Sequence, residues 1–165
     1  MEPSPKEQTL HHIEVVTQLT ALLAAEIAAR GPLHDASKLG EEEWPHFERE
    51  TGILKTLVFG SDEYKASLVR LKPALDHHYA ANRHHPEHFE NGISDMTLVD
   101  LVEMFCDWTA ASRRSKDGDP IKGIEISAKR FNMPPMLEQI FKNTVSVALS
   151  NKSASIEEKL HGKNL

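Results

Sequence analysis

Between Lys6 and Ala29, apolar side chains recur at Ile13, Val16, Leu19, Leu23 and Ile27, three or four residues apart. That period predicts a helix with one face turned to a core. His12 extends the stripe by one turn, whereas His11 points about 100° away from it. Gly31–Pro32 ends the helix, and a short segment from Leu33 to Leu39 is closed by Gly40. Glu41 to Glu50 reads as an acidic surface helix whose start is delayed by Pro45. Ser61 is placed to cap the next helix, with a stripe of Tyr64, Leu68, Leu71, Leu75 and His78, and Pro73 inside it predicts a kink or a break.

Asn82 to Asp95 contains Pro86, Asn91 and Gly92 and reads as a loop with one helical turn. Thr97 caps an apolar helix running to about Arg114, with Met96 placed as a hydrophobic staple. After a polar stretch from Ser115 to Gly123, Ile124 to Phe131 predicts a short helix. Pro134–Pro135 then opens a helix carrying Leu137, Ile140, Phe141, Val145 and Leu149. Asn151 to Leu165 is polar and reads as a fraying tail. No segment alternates apolar and polar residues as a strand does, so the expectation is an all-α protein with at least five helices.

The 165 residues suit one domain. The reading places its site-bearing core at about 8–116, additional helices at 117–150 and the tail at 151–165. With 39% apolar and 27% charged residues the chain reads as globular. A net charge of −6 argues against a partner as extended as a nucleic acid, though a bound cation could still make room for a small anion. One cysteine, Cys106, excludes an internal disulfide and a cysteine-built zinc site. No uninterrupted apolar run approaches the roughly 20 residues of a membrane span, and the N-terminus lacks a secretory pattern. The expectation is therefore a cytoplasmic protein with no membrane partner, and a homo-oligomer is left open.

Histidine changes the picture, because five of the ten fall between His77 and His88. Imidazole titrates near neutrality and ligates transition metals. Burying several without partners costs about 1–3 kcal/mol each, a cost that a shared metal removes. His78 lies on an apolar stripe, and Asn82 follows one turn later on the same face. His34–Asp35 offers an imidazole and a carboxylate side by side, both ligands for zinc, iron or manganese. Lys38, one turn on, is either a phosphate-holding charge or a solvated helix-end cation. On the helix after Thr97, Asp100, Glu103 and Asp107 form the single polar stripe. That stripe either meets water or turns Asp107 into a polar site, and Arg114 is either an anion clamp or solvated.

Taken together, His12, then His34–Asp35, then Asp107 resemble the ordered signature of the HD superfamily of metal-dependent phosphohydrolases. Members with two metals insert two further histidines, a place filled here by His78 and by His85 or His84. The phrases His-Asp-Ala-Ser-Lys-Leu, His-Tyr-Ala-Ala-Asn-Arg-His-His-Pro-Glu-His-Phe and Glu-Met-Phe-Cys-Asp-Trp also look like a small HD-like family of bacteria and phages. The similarity covers about residues 8 to 116.

The resemblance implies a compact helical bundle around one or two divalent ions (iron, manganese, zinc, cobalt or nickel). Asp35 would bridge the ions, with His12, His34 and Asp107 on one and His78 and His85 on the other. It further implies that Asp35 and Lys38 serve catalysis, and that Lys38, Asn82, Arg83, His84 and Arg114 contact a small anionic substrate such as a nucleotide. The activity expected is hydrolysis of a small phosphoester by a metal-activated water. Two alternatives stand beside it: a mixed-valent diiron oxygenase of the same superfamily, and a metal-stabilised binding protein without turnover.

Overall fold

The computed structural model describes residues 2–58, 61–113 and 118–148. Six α-helices follow one another: α1 Pro5–Arg30, α2 Trp44–Leu54, α3 Asp62–Ala81, α4 Leu98–Ser112, α5 Pro120–Arg130 and α6 Pro135–Ala148. Short 3₁₀ turns at Gly31–Leu33, Ala36–Leu39, Pro86–His88 and Gly92–Asp95 link them, and no strand occurs among the described residues. The protein is all-α, as the periodicity predicts. Packing divides the chain, read above as one domain, into two compact units, residues 1–91 with 95–103 and residues 92–94 with 104–165.

Local chemistry explains the helix starts. Ser4 and Glu7 close a capping box, with Ser4 Oγ accepting from the Glu7 amide and Glu7 Oε2 accepting from the Ser4 amide. Ser61 Oγ accepts from the Tyr64 amide at the head of α3. Thr97 and Asp100 satisfy each other reciprocally at the head of α4. Pro45 occupies the first turn of α2, where its missing N–H costs nothing. Pro73 sits within α3 without dividing it.

In the first unit, α2 packs against α3, and a buried carboxylate stitches the pair. The Glu50 side chain is wholly inaccessible; it accepts from Ser67 Oγ at 2.6 Å and from both Nε and Nη2 of Arg70 at 2.9 Å. Arg49 Nε adds a fourth bond at 2.8 Å. Glu43 is equally inaccessible, so the supposed acidic surface helix and its lead-in hide two of their acids. The repeat of acidic residues looked like a solvated face because their basic and hydroxyl partners lie on α3, far along the chain.

These partners give a pH-dependent prediction. Hydrogen bonds from Arg70, Ser67 and Arg49 hold the Glu50 carboxyl down at about 2, against an ordinary 4.5. A lowered folded-state value means stabilisation that is complete above 4.5 and lost as pH falls towards 2. Glu50→Gln cannot titrate, so its melting temperature should fall less steeply than that of the wild type through this window. Parallel melting-temperature profiles for the two proteins would show that Glu50 makes no pH-linked contribution.

The second unit pairs α5 with α6. Phe105 and Phe141 meet edge to face, with ring centroids 5.3 Å apart, and Trp108 stacks on Phe131 at 5.9 Å. Ile124, Ala128 and Met133 are buried in the same unit.

One expectation is overturned. The apolar stripe of α1 faces no core, since the helix contains no buried residue, and Leu19 is 56% exposed. His12 is exposed with it. Periodicity fixes which side chains share a face, but does not supply anything to cover that face. The rule of uninterrupted apolar runs also missed that α1 is long and apolar enough to span a membrane, with an 18-residue stretch of mean hydropathy 1.3. Thr17, Gln18 and Thr20 break the run, yet the average over the stretch stays apolar because Val, Leu, Ile and Ala surround them.

Candidate metal centre

The centre is built entirely from the first unit. After the turn Gly31–Leu33, Asp35 adopts a left-handed backbone, φ 58°, that heads the 3₁₀ turn Ala36–Leu39. Few side chains accept this conformation, and aspartate is among those that do. The bend brings Asp35 to the end of α3, where His78 is buried on the last turn, and to the segment after it that carries His84 and His85.

Four donor atoms converge. His78 Nε2 lies 2.9 Å from His85 Nε2 and 3.1 Å from Asp35 Oδ1, and His84 Nε2 lies 3.5 Å from the same oxygen. One ligand atom from each of Asp35, His78, His84 and His85 falls within 4.8 Å of the others, a group that could hold a metal ion. Donors at 2.0–2.1 Å from a shared tetrahedral ion stand roughly 3.3 Å apart, and the separations of 2.9, 3.1 and 3.5 Å bracket that value. Asp35 Oδ1 and His84 Nε2 are buried with no hydrogen-bond partner, and leaving such groups unmet costs about 1–3 kcal/mol apiece. The residues fit a metal.

The outer nitrogens explain why the inner ones are free to coordinate. His78 Nδ1 lies 3.0 Å from Glu43 Oε2, and a carboxylate can only accept, so Nδ1 carries the proton and Nε2 presents its lone pair inward. Asn82 Nδ2 also lies near that nitrogen, but its two hydrogens are taken by Ser37 Oγ at 2.7 Å and the His78 carbonyl at 2.8 Å. His84 repeats the arrangement, with Nδ1 3.2 Å from Glu103 Oε1. Carboxylates that orient ligating histidines in this way are a regular part of metal sites. Glu43 Oε1 also accepts a hydrogen bond from His77 Nδ1 at 2.7 Å.

Charge is arranged to match. Burial raises the Asp35 pKa, but the groups around it, the Lys38 ammonium among them, outweigh burial and hold the carboxyl well below its usual range. Lys38 Nζ donates to Asp35 Oδ2 at 2.6 Å. Burial above all pushes His85 down to about 3, which leaves its imidazole neutral at physiological pH. For Glu43, burial acts upward and is exceeded by His77, Ser37 and His78, leaving the carboxyl lowered.

Beside His84 opens a pocket of about 240 Å³, lined by Arg30, Asn82, Arg83 and Glu103 among others. Asp100 is buried beneath the two arginines, 2.6 Å from Arg30 Nη1 and 3.0 Å from Arg83 Nη2. Burial raises the Asp100 pKa, but Arg83, Arg30 and Thr97 more than reverse it.

The sequence-predicted residues therefore divide. Asp35, His78 and His85 join the four-donor group, and His84, read as a substrate contact, joins them as a ligand candidate. His34 stands alongside, its ring 4.2 Å from that of His84 and its Nδ1 3.0 Å from Glu103 Oε1. Lys38 touches Asp35; Asn82 and Arg83 line the pocket. His12 is not brought in: eighteen residues separate it from Arg30, roughly 27 Å along a helix. Asp107 lies half-buried one turn beyond Glu103 on α4, in the second unit. Arg114 lies outside the described residues.

Glu43, Glu103 and Asp100 were missed as site residues. For Glu103 and Asp100 the signal existed in the acidic stripe of α4. For Glu43 nothing in its acidic neighbourhood distinguished it from Glu41 and Glu42.

No curated protein and no solved structure matches the chain. One family profile does, over residues 1–149. With that much of its length matched, the chain belongs to DUF5662, a family of unknown function.

Proposed function

We propose that this protein is a metal-dependent phosphohydrolase acting on a nucleotide or another small phosphoester. The reading is carried by the convergence of Asp35 Oδ1 and three imidazole nitrogens, two of the four atoms being buried and without a hydrogen-bond partner. A divalent ion held there would supply a water acidified enough to attack phosphorus near neutral pH. Hydrolysis joins that oxygen to phosphorus and releases the ester oxygen with a proton.

The chain's own residues suit an anionic substrate. Lys38 spends one of its three ammonium hydrogens on Asp35 and is about a third exposed, which leaves donors for a phosphate oxygen. Arg83, 45% exposed, lines the pocket while its Nε and Nη2 donate to the buried Asp100. A planar fork held in place is suited to a phosphate or carboxylate. The resemblance to the HD superfamily points the same way.

The test is elemental analysis of untagged protein purified without chelators, followed by a phosphate-release screen across nucleotides and simple phosphoesters. Bound transition metal with turnover on at least one ester is expected. Oxygen uptake by an iron-loaded sample with no phosphate release would move the protein to the oxygenase reading. Full metal and no turnover of either kind would leave a metal-stabilised binding protein.

Lys38→Met provides a finer check. Metal content should change little, because the four donors remain. The kcat/KM on the best ester should fall roughly ten- to a hundredfold, the scale of a lost charged hydrogen bond of about 1.5–3 kcal/mol. Partial recovery in Lys38→Arg would mark the charge as the useful feature, and unchanged kinetics in Lys38→Met would remove the residue from substrate binding.

A further inference from the structure

The long N-terminal helix is the largest feature that the candidate site does not use. Every residue of α1 except Ile27 and Arg30 is exposed and none is buried, and Ile13, Val16, Leu19 and Leu23 are 54, 45, 56 and 48% exposed along one side. Leu10, Val15 and Leu22 are exposed as well, at 56, 37 and 68%. A monomer rarely leaves so many large apolar side chains bare on one element, and a subunit interface is where such a surface is normally buried. Helices with no packed face are marginal in water. A covering partner is what would hold α1 in one place.

We propose that α1 packs against α1 of a second copy of this chain, forming a two-fold symmetric dimer. Glu14, Gln18 and His11 cluster on the side away from that stripe, next to the exposed Leu22, so the helix has a narrow polar sector and is not apolar all round. A lipid-spanning helix would have to bury Glu14 within its apolar stretch, an expensive placement. Helices that lie on membranes bring lysine and arginine on their polar side. Here that side is acidic, and the chain carries a net charge of −6. A self-complementary apolar stripe needs only a copy of itself, which is how two-fold interfaces arise. Arg30, bound to Asp100 and Glu103, ties the end of α1 to the metal-site unit, so pairing would fix two such units to one helical stem.

Sedimentation velocity on the full-length wild-type protein at micromolar concentration, with and without neutral phosphatidylcholine vesicles, tests this. The expected mass is twice 18.5 kDa, with no protein floating with the vesicles. Val16→Glu with Leu23→Glu should return the mass to 18.5 kDa at unchanged helicity by circular dichroism, because both positions are exposed within one copy. A monomeric wild type would overturn the proposal. So would a double variant that still dimerises, or a wild type that floats with the vesicles as a monomer. None of these outcomes depends on the catalytic reading.

Discussion

Replacing Asp35 by asparagine should strip the protein of its metal while leaving the fold in place. Oδ1 is the only oxygen in the four-donor group and lies 3.1 Å from His78 Nε2 and 3.5 Å from His84 Nε2. It supplies the one formal negative charge that offsets a divalent ion there. Asparagine keeps the volume and tolerates the left-handed backbone of this position, so loss of metal cannot be blamed on strain, as it could for Asp35→Ala. The amide is also an easier occupant for a site without an ion, since burying a neutral group costs less than burying a carboxylate. Metal affinity should fall by more than the roughly 10–100-fold that changes outside the ligand set produce, and any phosphate release should vanish with it. The measurement is metal stoichiometry by elemental analysis, paired with the melting temperature. An Asp35→Asn protein that carries full metal would place the ion elsewhere, and the proposed function would lose its foundation.

The fold was largely legible because helix periodicity, caps and proline positions are local. Ser61, Thr97 with Asp100, Pro45 and Pro135 mark helix starts within a few residues of where they are seen. The site was legible in part, because clustering of His78, His84 and His85 within eight residues is visible in the chain itself. What could not be read was anything that depends on which elements meet. His12 lies on the same face as Ile13 and Val16, but that face is bare. Glu43 and Glu50 are spaced like surface acids, and only the packing of α2 and its lead-in against α3 turns them inward to His78 and Ser67. Asp100 belongs to a polar stripe that periodicity alone could assign either to water or to a polar site, and it is buried where Arg30 and Arg83 arrive from distant positions to pair with it.

Glu43→Gln should weaken metal binding by about 10–100-fold without removing a single ligand. The Glu43 carboxylate is wholly inaccessible and accepts hydrogen bonds from Nδ1 of both His77 and His78. Its charge does two things for His78: it fixes the tautomer that leaves Nε2 bare, and it makes that nitrogen more basic. Glutamine has the same shape, so packing against α3 should survive and the melting temperature of the metal-free protein should move little. Its amide, however, can present an N–H as readily as a carbonyl to Nδ1, and in that orientation the His78 proton is driven to Nε2, where it blocks coordination. A purely structural Glu43 predicts the reverse pattern, a lowered melting temperature and unchanged affinity. Competition with a chelator of known strength separates the two, because it reads affinity apart from fold. Nitrogen NMR of the imidazoles adds a direct view, since a proton on Nε2 of His78 should appear in the metal-free variant and not in the metal-free wild type. Wild-type affinity in Glu43→Gln would reduce Glu43 to a buried acid that happens to touch the site.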